Sequence, residues 1–531
     1  MKNAEPVPRR SVKPRKLRPS PLLPIIVVSR ERVYIERSES EWVRDDLPAI
    51  VRSEPTSLVV VENHAAMVHS LHQTFRNDPL WQFRATAIDR PIYKPDGTLS
   101  RAVRQDTIVG FFGWRGENNQ RGRWHFPLDS LTFCKATPGE LRPRGYRIRQ
   151  LYEWAIDVRD WCYSQGLDLR PTSGGIAAQL LRDPRFYGCE RRKVPRATND
   201  RARVQLPGNY YRLYTEPGRR LSATYLDMQN AHHWCATQVQ FPHADRLYAR
   251  GRLHTPDRSW ASPGSLRFNQ VLQEHGLLLV DLSVPHLAPG TFPPPYMEEQ
   301  GSRRTYVYTN ELRTIHALGG RIDGIVGAWT SRQADPGLST YAAWALRQLE
   351  HCNQWSKPWL KPALLATYGI LAGRPMPQRF GFAKGKGRDA RFPTTSGPLE
   401  VKLIERGKVE PRVANVIHRG MIEAETRLQA CAMARELHAS GACVLSIYAD
   451  SVFVEEGTVV PLLPAPWRVK GTLTRLEFFT PTAFVSDQMT KLPGIGRHER
   501  LRLDLMNQAR QPIKTWKMRE ELRATDEGVP R

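Results

Sequence analysis

The chain has 531 residues, 40% of them hydrophobic, with 78 Lys plus Arg against 53 Asp plus Glu and a formal net charge of +25. That apolar content is enough to fold, and the length excludes a single ordinary core, so two to four domains are expected. The positive surplus suits a polyanionic partner, because neutralising phosphates releases condensed counterions, and it is shared by packaging proteins and membrane-surface binders.

Residues 1–20 carry Lys2, Arg9, Arg10, Lys13, Arg15, Lys16 and Arg18 among several prolines, a composition that cannot bury a core and predicts a flexible basic tail over 1–29. The apolar run over 22–28 is too short to span a membrane, contains Pro24 and lacks a cleavage site, so a strand is expected and no membrane partner. Residues 30–200 mix apolar strands at 58–61 and 108–112 with an amphipathic helix near 149–165, which predicts an α/β domain. Strand and then helix follow over 220–240, further strand over 271–284, and a Pro- and Gly-rich charged loop over 289–305. A helix starting near 309–312 stops at Gly319-Gly320.

A longer helix over 338–355 and the next one, carrying Tyr368, are separated by Pro358 and Pro362 and predict a protruding helical hairpin. Residues 376–415 are basic and rich in Gly and Pro, with Lys384, Lys386 and Arg388 ahead of a short strand at 399–403, and read as an exposed hairpin or loop. The helix over 419–438 places Met421, Ala424, Leu428, Cys431 and Ala432 on one face, and Gly441 ends it before a strand at 443–447. Asp450 then sits at the turn of a strand-turn-strand unit, because the apolar run resumes at Val452. The last sixty residues are basic and read as partly helical. Seven scattered cysteines, without a C-x-x-C pair, point to a reducing, cytoplasmic setting.

Three segments carry the chemistry: Tyr225-Leu226-Asp227-Met228-Gln229-Asn230-Ala231-His232, Lys361-Pro362-Ala363-Leu364-Leu365-Ala366-Thr367-Tyr368-Gly369, and Ser446-Ile447-Tyr448-Ala449-Asp450-Ser451. Joining a nucleotide to a primer requires a 3′-hydroxyl to lose its proton while charge builds on a bridging oxygen, and two divalent ions shared by two carboxylates meet both needs. Asp227 and Asp450 end or flank apolar strands, where a carboxylate is costly unless a cation or hydrogen bonds satisfy it. Taken alone, Asp227 reads as a helix cap or turn residue and Asp450 as a turn former. Lys361 and Tyr368 share a helix face, and with Pro362 at the first helical position Lys361 is expected at the helix mouth, where phosphate binds. His232, His233 and Cys235 lack the further ligands a structural zinc needs, and no G-x-x-x-x-G-K-[ST] loop occurs.

In this order the segments resemble motifs A (D-x-x-S-L-Y-P), B (K-x-x-x-N-S-x-Y-G) and C (Y-x-D-T-D-S) of the family B DNA polymerases, in particular the compact phage and linear-plasmid enzymes that include protein-primed members. Spacings of 134 residues from Asp227 to Lys361 and 89 from Lys361 to Asp450 suit a palm interrupted by fingers, and the likeness, which extends to Arg427 ahead of motif C, covers roughly residues 200–495. The resemblance implies a mixed α/β (α+β) right hand: an amino-terminal α/β domain over 30–200, palm over 201–335 and 416–470, fingers over 336–375, a basic hairpin insertion over 376–415 and a thumb-like region over 471–531. It implies two Mg²⁺, replaceable by Mn²⁺, on Asp227 and Asp450. His232, Lys361, Tyr368 and Gly369 would bind dNTP, and template and primer DNA, with a priming protein among the possible partners, would meet Lys384, Lys386, Arg388 and Lys491.

The pattern departs from the family at Leu365-Ala366 for Asn-Ser, at His232 for the tyrosine that blocks a ribose 2′-hydroxyl, and at Tyr448 for the first Asp of motif C. No K-x-Y follows motif C. The absence of any D-x-E, with Glu62 alone after an apolar strand, predicts no metal-dependent 3′→5′ exonuclease. Template-directed DNA synthesis, most readily for phage or plasmid replication, is the leading reading. A catalytically weakened DNA-binding derivative and a basic structural nucleic-acid-binding protein stay open beside it.

Overall fold

The computed structural model describes, apart from isolated positions, residues 210–251, 260–353, 356–372 and 415–488, the stretches 148–167 and 173–186, and strands within 25–127, 379–406 and 490–491, several of these as backbone only. Most of the expected basic tail, Glu62, Lys384, Lys386 and everything beyond 491 lie outside the described residues.

Strands β1 (Ile25–Val28), β2 (Arg32–Ile35), β3 (Ser40–Val43), β4 (Leu58–Val61), β5 (Trp81–Tyr93), β6 (Leu99–Trp114) and β7 (Arg123–Pro127) form one run of a ten-stranded sheet. Helices α1 (Ile148–Ser164) and α2 (Ser173–Arg182) follow. The run expected at 22–28 is thus a strand over its last four residues, parallel to β4.

The sheet that matters for function begins with β8 (Tyr211–Leu213) and β9 (Arg220–Met228), the latter leading into α3 (Ala231–Gln238). After β10 (Phe241–Pro242) and β11 (Tyr248–Gly251) comes α4 (Leu266–Leu272), where further strand was expected from 271. Ser265 decides the difference: its side chain accepts from the Phe268 N–H at 3.2 Å, capping a helix that buries Phe268 and Val271. Strands β12 (His275–Val284) and β13 (Gly301–Tyr308) pair antiparallel along their length, so the loop expected over 289–305 closes into a strand from 301, with Arg304 held to Asp281 at 2.8 Å. Helix α5 (Leu312–Ala317) and strands β14 (Arg321–Ser331) and β15 (Ala334–Asp335) complete a four-stranded sheet in the order β11-β14-β12-β13 and a small pair, β10-β15.

Helices α6 (Gly337–His351) and α7 (Lys357–Leu371) are the two helices expected there, but they do not protrude: Tyr341 and Ala345 of the first and Trp359, Leu364 and Tyr368 of the second are buried in the main core. α7 starts five residues earlier than Pro362 suggested. Pro358 takes its second position, and the first turn is pinned to α1 by Asp157, whose carboxylate accepts from Ser356 Oγ at 2.7 Å and Trp359 Nε1 at 2.9 Å. Pro362 therefore lies inside the helix, and Lys361 stands in its second turn rather than at its mouth.

Strands β16 (Arg379–Gly381), β17 (Arg388–Thr394) and β18 (Gly397–Arg406) include the hairpin expected near 384–403, and β16 joins them to the amino-terminal sheet through β5. Helix α8 (Val416–Ala439) follows, buried on nearly all sides. It is a core helix, with His418 Nε2–H donating to the Pro242 carbonyl at 2.7 Å. Strands β19 (Val444–Tyr448), β20 (Ser451–Glu455), β21 (Trp467–Thr480), β22 (Ala483–Val485) and β23 (Thr490–Lys491) close a seven-stranded sheet in the order β23-β22-β21-β9-β20-β19-β8. Residues 471–491, expected to be partly helical, are thus largely strand, because β21 runs on across residue 470 beside β9.

Alternation along β9 divides the core. Leu226 and Met228 pack with Val452, Val454 and α8 on one face, while Leu221, Ala223 and Tyr225 pack with Phe453, Phe478 and Phe484 on the other. Tyr225 and Phe453 stack with centroids 4.8 Å apart. By the same period of two, Asp227 belongs to the Tyr225 face, at the end of the strand where that aromatic core stops.

Candidate active site

The pairing of β9 and β20 puts Ser451 opposite Asp227, so Asp450, the residue before Ser451, lies in the turn that enters the neighbouring strand, at the same end of the sheet. The Met228 N–H donates to the Asp450 carbonyl at 3.0 Å, which locks that register. Asp450 and Ala449 form the two-residue loop of the β19–β20 hairpin. Ala449 has φ 56° and donates its N–H to the Tyr210 carbonyl at 2.7 Å. A two-residue hairpin with positive φ at its first central position normally has glycine there, and the left-handed alanine costs about 1–2 kcal/mol. Asn230, three residues after Asp227, is left-handed as well, with φ 53°. Both carboxylate-bearing turns therefore hold strained, non-glycine backbone.

Asp227 is the better supported carboxylate. Ser451 Oγ donates to its Oδ1 at 3.0 Å, the Tyr225 hydroxyl lies 3.5 Å from the same oxygen, and Lys470 Nζ lies 3.2 Å from Oδ2. Lys470 reaches this face because β21 bulges: Val469 pairs with Leu226 and Gly471 with Tyr225, which leaves Lys470 as the extra residue. Its ammonium sits 4.9 Å from the Tyr225 ring centroid and donates to the hydroxyl at 3.3 Å. Burial works against the Lys470 charge, and the Asp227 carboxylate outweighs it, holding the ammonium above its ordinary range.

Asp450 is in a different state. Burial first and the Asp227 charge second push its carboxyl up, and no cation pairs with it within 4 Å among the described residues. Two carboxylates, one of them destabilised as an anion by the other, form a donor set that a divalent cation relieves. Among the described residues no group of three or more His, Cys, Asp and Glu gathers as a metal cluster, so the pair stands alone as candidate ligands. His233 and Cys235 turn elsewhere, to the Tyr368 hydroxyl and the Met228 sulfur, and hold no zinc together.

Lys361 comes to the same place from α7. Burial pushes its ammonium down, Asp227 pulls it up, and Lys357, Lys470 and Arg468 press on it as like charges. Arg468 is directly opposite Asp227 on β21. The result is a floor of two carboxylates beneath a rim of cations, complementary to a metal-bound polyphosphate. One α7 turn-pair further on, Tyr368 is buried, with the His232 ring near-parallel to it at 5.8 Å. Burial, then the Arg419 guanidinium, push the His232 imidazole down, so it is neutral. Gly369 has ordinary helical φ, and a Cβ there would meet nothing within 4 Å.

Asp227, Asp450, Lys361, His232 and Tyr368 thus converge. Arg388 and Lys491 fall on β17 and β23, described as backbone only. Arg427 does not belong to the group: it is buried and paired with Glu311 at 2.7 Å, tying α8 to the turn before α5. Sequence reasoning missed Tyr225, Ser451, Arg468, Lys470 and His233. Ser451 follows Asp450 directly and carried a local signal, whereas Lys470 depends on a bulge that no pattern announces.

No protein-family model and no curated protein matches the sequence. Among solved structures, the chain is similar to the DNA polymerase of phage phi29 complexed with primer-template DNA, with TM-score 0.55, 12% identity and coverage of 91% of this chain and 94% of that one. It is similar to the same enzyme complexed with primer-template DNA and incoming nucleotide substrates (0.56, 13%, 90% and 93%) and in an orthorhombic crystal form (0.54, 10%, 90% and 94%). The two chains share a fold.

Proposed function

We propose that this chain is a template-directed DNA polymerase that transfers a nucleotide from dNTP to a primer 3′-hydroxyl. The observation that carries the proposal is the register that pairs Ser451 with Asp227 and so sets Asp450, in the hairpin turn just before it, beside Asp227, under the cationic rim of Lys361, Arg468 and Lys470. The shared fold with an enzyme solved on primer-template DNA and incoming nucleotides supports it.

Asp227 and Asp450 would hold two Mg²⁺, with Mn²⁺ able to replace them, and the bound pair supplies a lowered pKa for the 3′-hydroxyl and neutralisation of the leaving oxygen. Ser451 and Tyr225 orient Asp227 by holding Oδ1. Lys361 and its neighbours bind the triphosphate as fixed charges that need no reorganisation during transfer. His232 and Tyr368 wall the sugar and base, and Gly369 leaves open space beside them. Palm (201–335 and 416–470), fingers (336–375) and a thumb-like end (471–531) are the corresponding assignments, with Lys384, Lys386, Arg388 and Lys491 on the DNA path. Replication of a phage or plasmid genome is the setting we propose for it.

A primed-template extension assay with dNTPs and, separately, rNTPs tests the reading. Extension in Mg²⁺ that Asp450→Asn abolishes, with DNA affinity kept, supports it. Tyr448 in place of a carboxylate, packed against Tyr211 at 4.7 Å, favours the second reading, a DNA-binding derivative without catalysis. Salt-sensitive DNA binding without extension in Mg²⁺ or Mn²⁺ would establish that one instead.

A further inference from the structure

His233 plays no part in the account above, yet it is fully buried and sits between the two halves of the site. Its Nδ1 lies 2.7 Å from the Tyr368 hydroxyl. Its Nε2 is buried with no hydrogen-bond partner among the described residues. Burial, then His232 and Lys361, push the imidazole down to about 3, so it is neutral and keeps one nitrogen as donor and one as acceptor. Whichever tautomer forms, the pair is satisfied on one side only, and a buried orphan nitrogen costs about 1–3 kcal/mol. An apolar pair of similar volume would cost the fold less.

The contact joins two rigid elements. His233 stands in the first turn of α3, six residues after Asp227, its N–H bonded to the Asn230 carbonyl at 2.9 Å. Tyr368 is two turns along α7 from Lys361. A change in the His233–Tyr368 bond therefore shifts the lysine-bearing helix relative to the carboxylate-bearing strand. A site of this kind loses roughly a hundredfold for a displacement of about 1 Å.

We propose that His233 is a positioning residue for nucleotide binding: its bond to Tyr368 sets the distance between α7 and the Asp227 end of β9. The inference rests on the polymerase reading of the site. It assigns His233 no contact with substrate.

The test uses the full-length chain, with steady-state dNTP KM and kcat on a primed template and thermal unfolding without nucleotide. His233→Leu, Tyr368→Phe and the double variant are each expected to raise dNTP KM roughly tenfold with a smaller change in kcat, the double no worse than either single. Each single variant strands the other partner and lowers stability, whereas the double removes both and regains it. His233→Gln, whose amide can still bond the Tyr368 hydroxyl, is expected to recover much of the KM loss. Stability and KM thus part company in the double variant. A His233→Leu KM within twofold of the parent, or a double variant whose KM recovers together with its stability, would overturn the inference while leaving the polymerase reading intact. A parent chain that extends no primer overturns both.

Discussion

Asp450→Asn separates a metal-binding carboxylate from a turn residue, because the two roles move stability in opposite directions. Neighbouring strands lie about 5 Å apart, and at an effective dielectric near 20 two carboxylates at that spacing repel by about 3 kcal/mol. Lys361 and Lys470 offset part of this, leaving a net penalty on the order of 1 kcal/mol in the metal-free protein. The Asp450 carboxyl is raised by burial first, with this repulsion from Asp227 second. An acid whose folded pKa is raised destabilises the fold above that pKa, and the penalty fades as pH falls and the group protonates. Asp450→Asn should therefore be more stable than the parent at pH 8 without metal, by about 1 kcal/mol, and the gap should close on acidification. In Mg²⁺ the order should reverse: at a hundred times the dissociation constant the parent gains about 2.7 kcal/mol and the variant little. Primer extension should fall by about a thousandfold or more, since the ion pair supplies several kcal/mol to the transition state. Denaturant titrations at two pH values, with and without Mg²⁺, read all of this. A variant less stable than the parent in EDTA at pH 8 would refute the electrostatic reasoning.

Ala449→Gly should leave stability unchanged or raise it by up to about 1 kcal/mol, because the released left-handed strain is set against the extra freedom of glycine in the unfolded chain; a loss beyond 1 kcal/mol by denaturant titration would contradict the turn geometry. Gly420→Ala should destabilise by about 2–3 kcal/mol, since its Cβ would overlap the hydroxyl and ring of the buried Tyr308. A melting temperature equal to the parent's would mean that α8 and Tyr308 are not so packed. Lys470→Met should tighten Mg²⁺ binding to the free protein several-fold by removing the ammonium 3.2 Å from Asp227, as isothermal titration would show. Unchanged or weaker metal binding would place the ion elsewhere.

What could be read in advance was what local pattern encodes. The apolar runs before Asp227 and on both sides of Asp450 announced strands, and β9, β19 and β20 are where those runs are. That the two strands pair directly, with Ser451 opposite Asp227, is a long-range choice that local periodicity does not contain. The start of α7 was misplaced for a related reason. Pro362 reads locally as a helix start, and burial of Trp359 against Asp157, about two hundred residues earlier in the chain, set the start five residues earlier. Lys470 escaped notice because only a bulge aims it at Asp227. His233 was weighed only as a zinc ligand, and its partner, Tyr368, lies 135 residues away, beyond any local pattern.

The central claim is that Asp227 and Asp450 clasp a shared pair of divalent ions. Anomalous diffraction from crystals of the chain with primer-template DNA, an unreactive dNTP analogue and Mn²⁺ tests it directly. Two peaks about 3.5–4 Å apart, both within coordination distance of these two carboxylates, are expected. Peaks elsewhere, or Lys470 still paired with Asp227 and no ion between the strands, would contradict it.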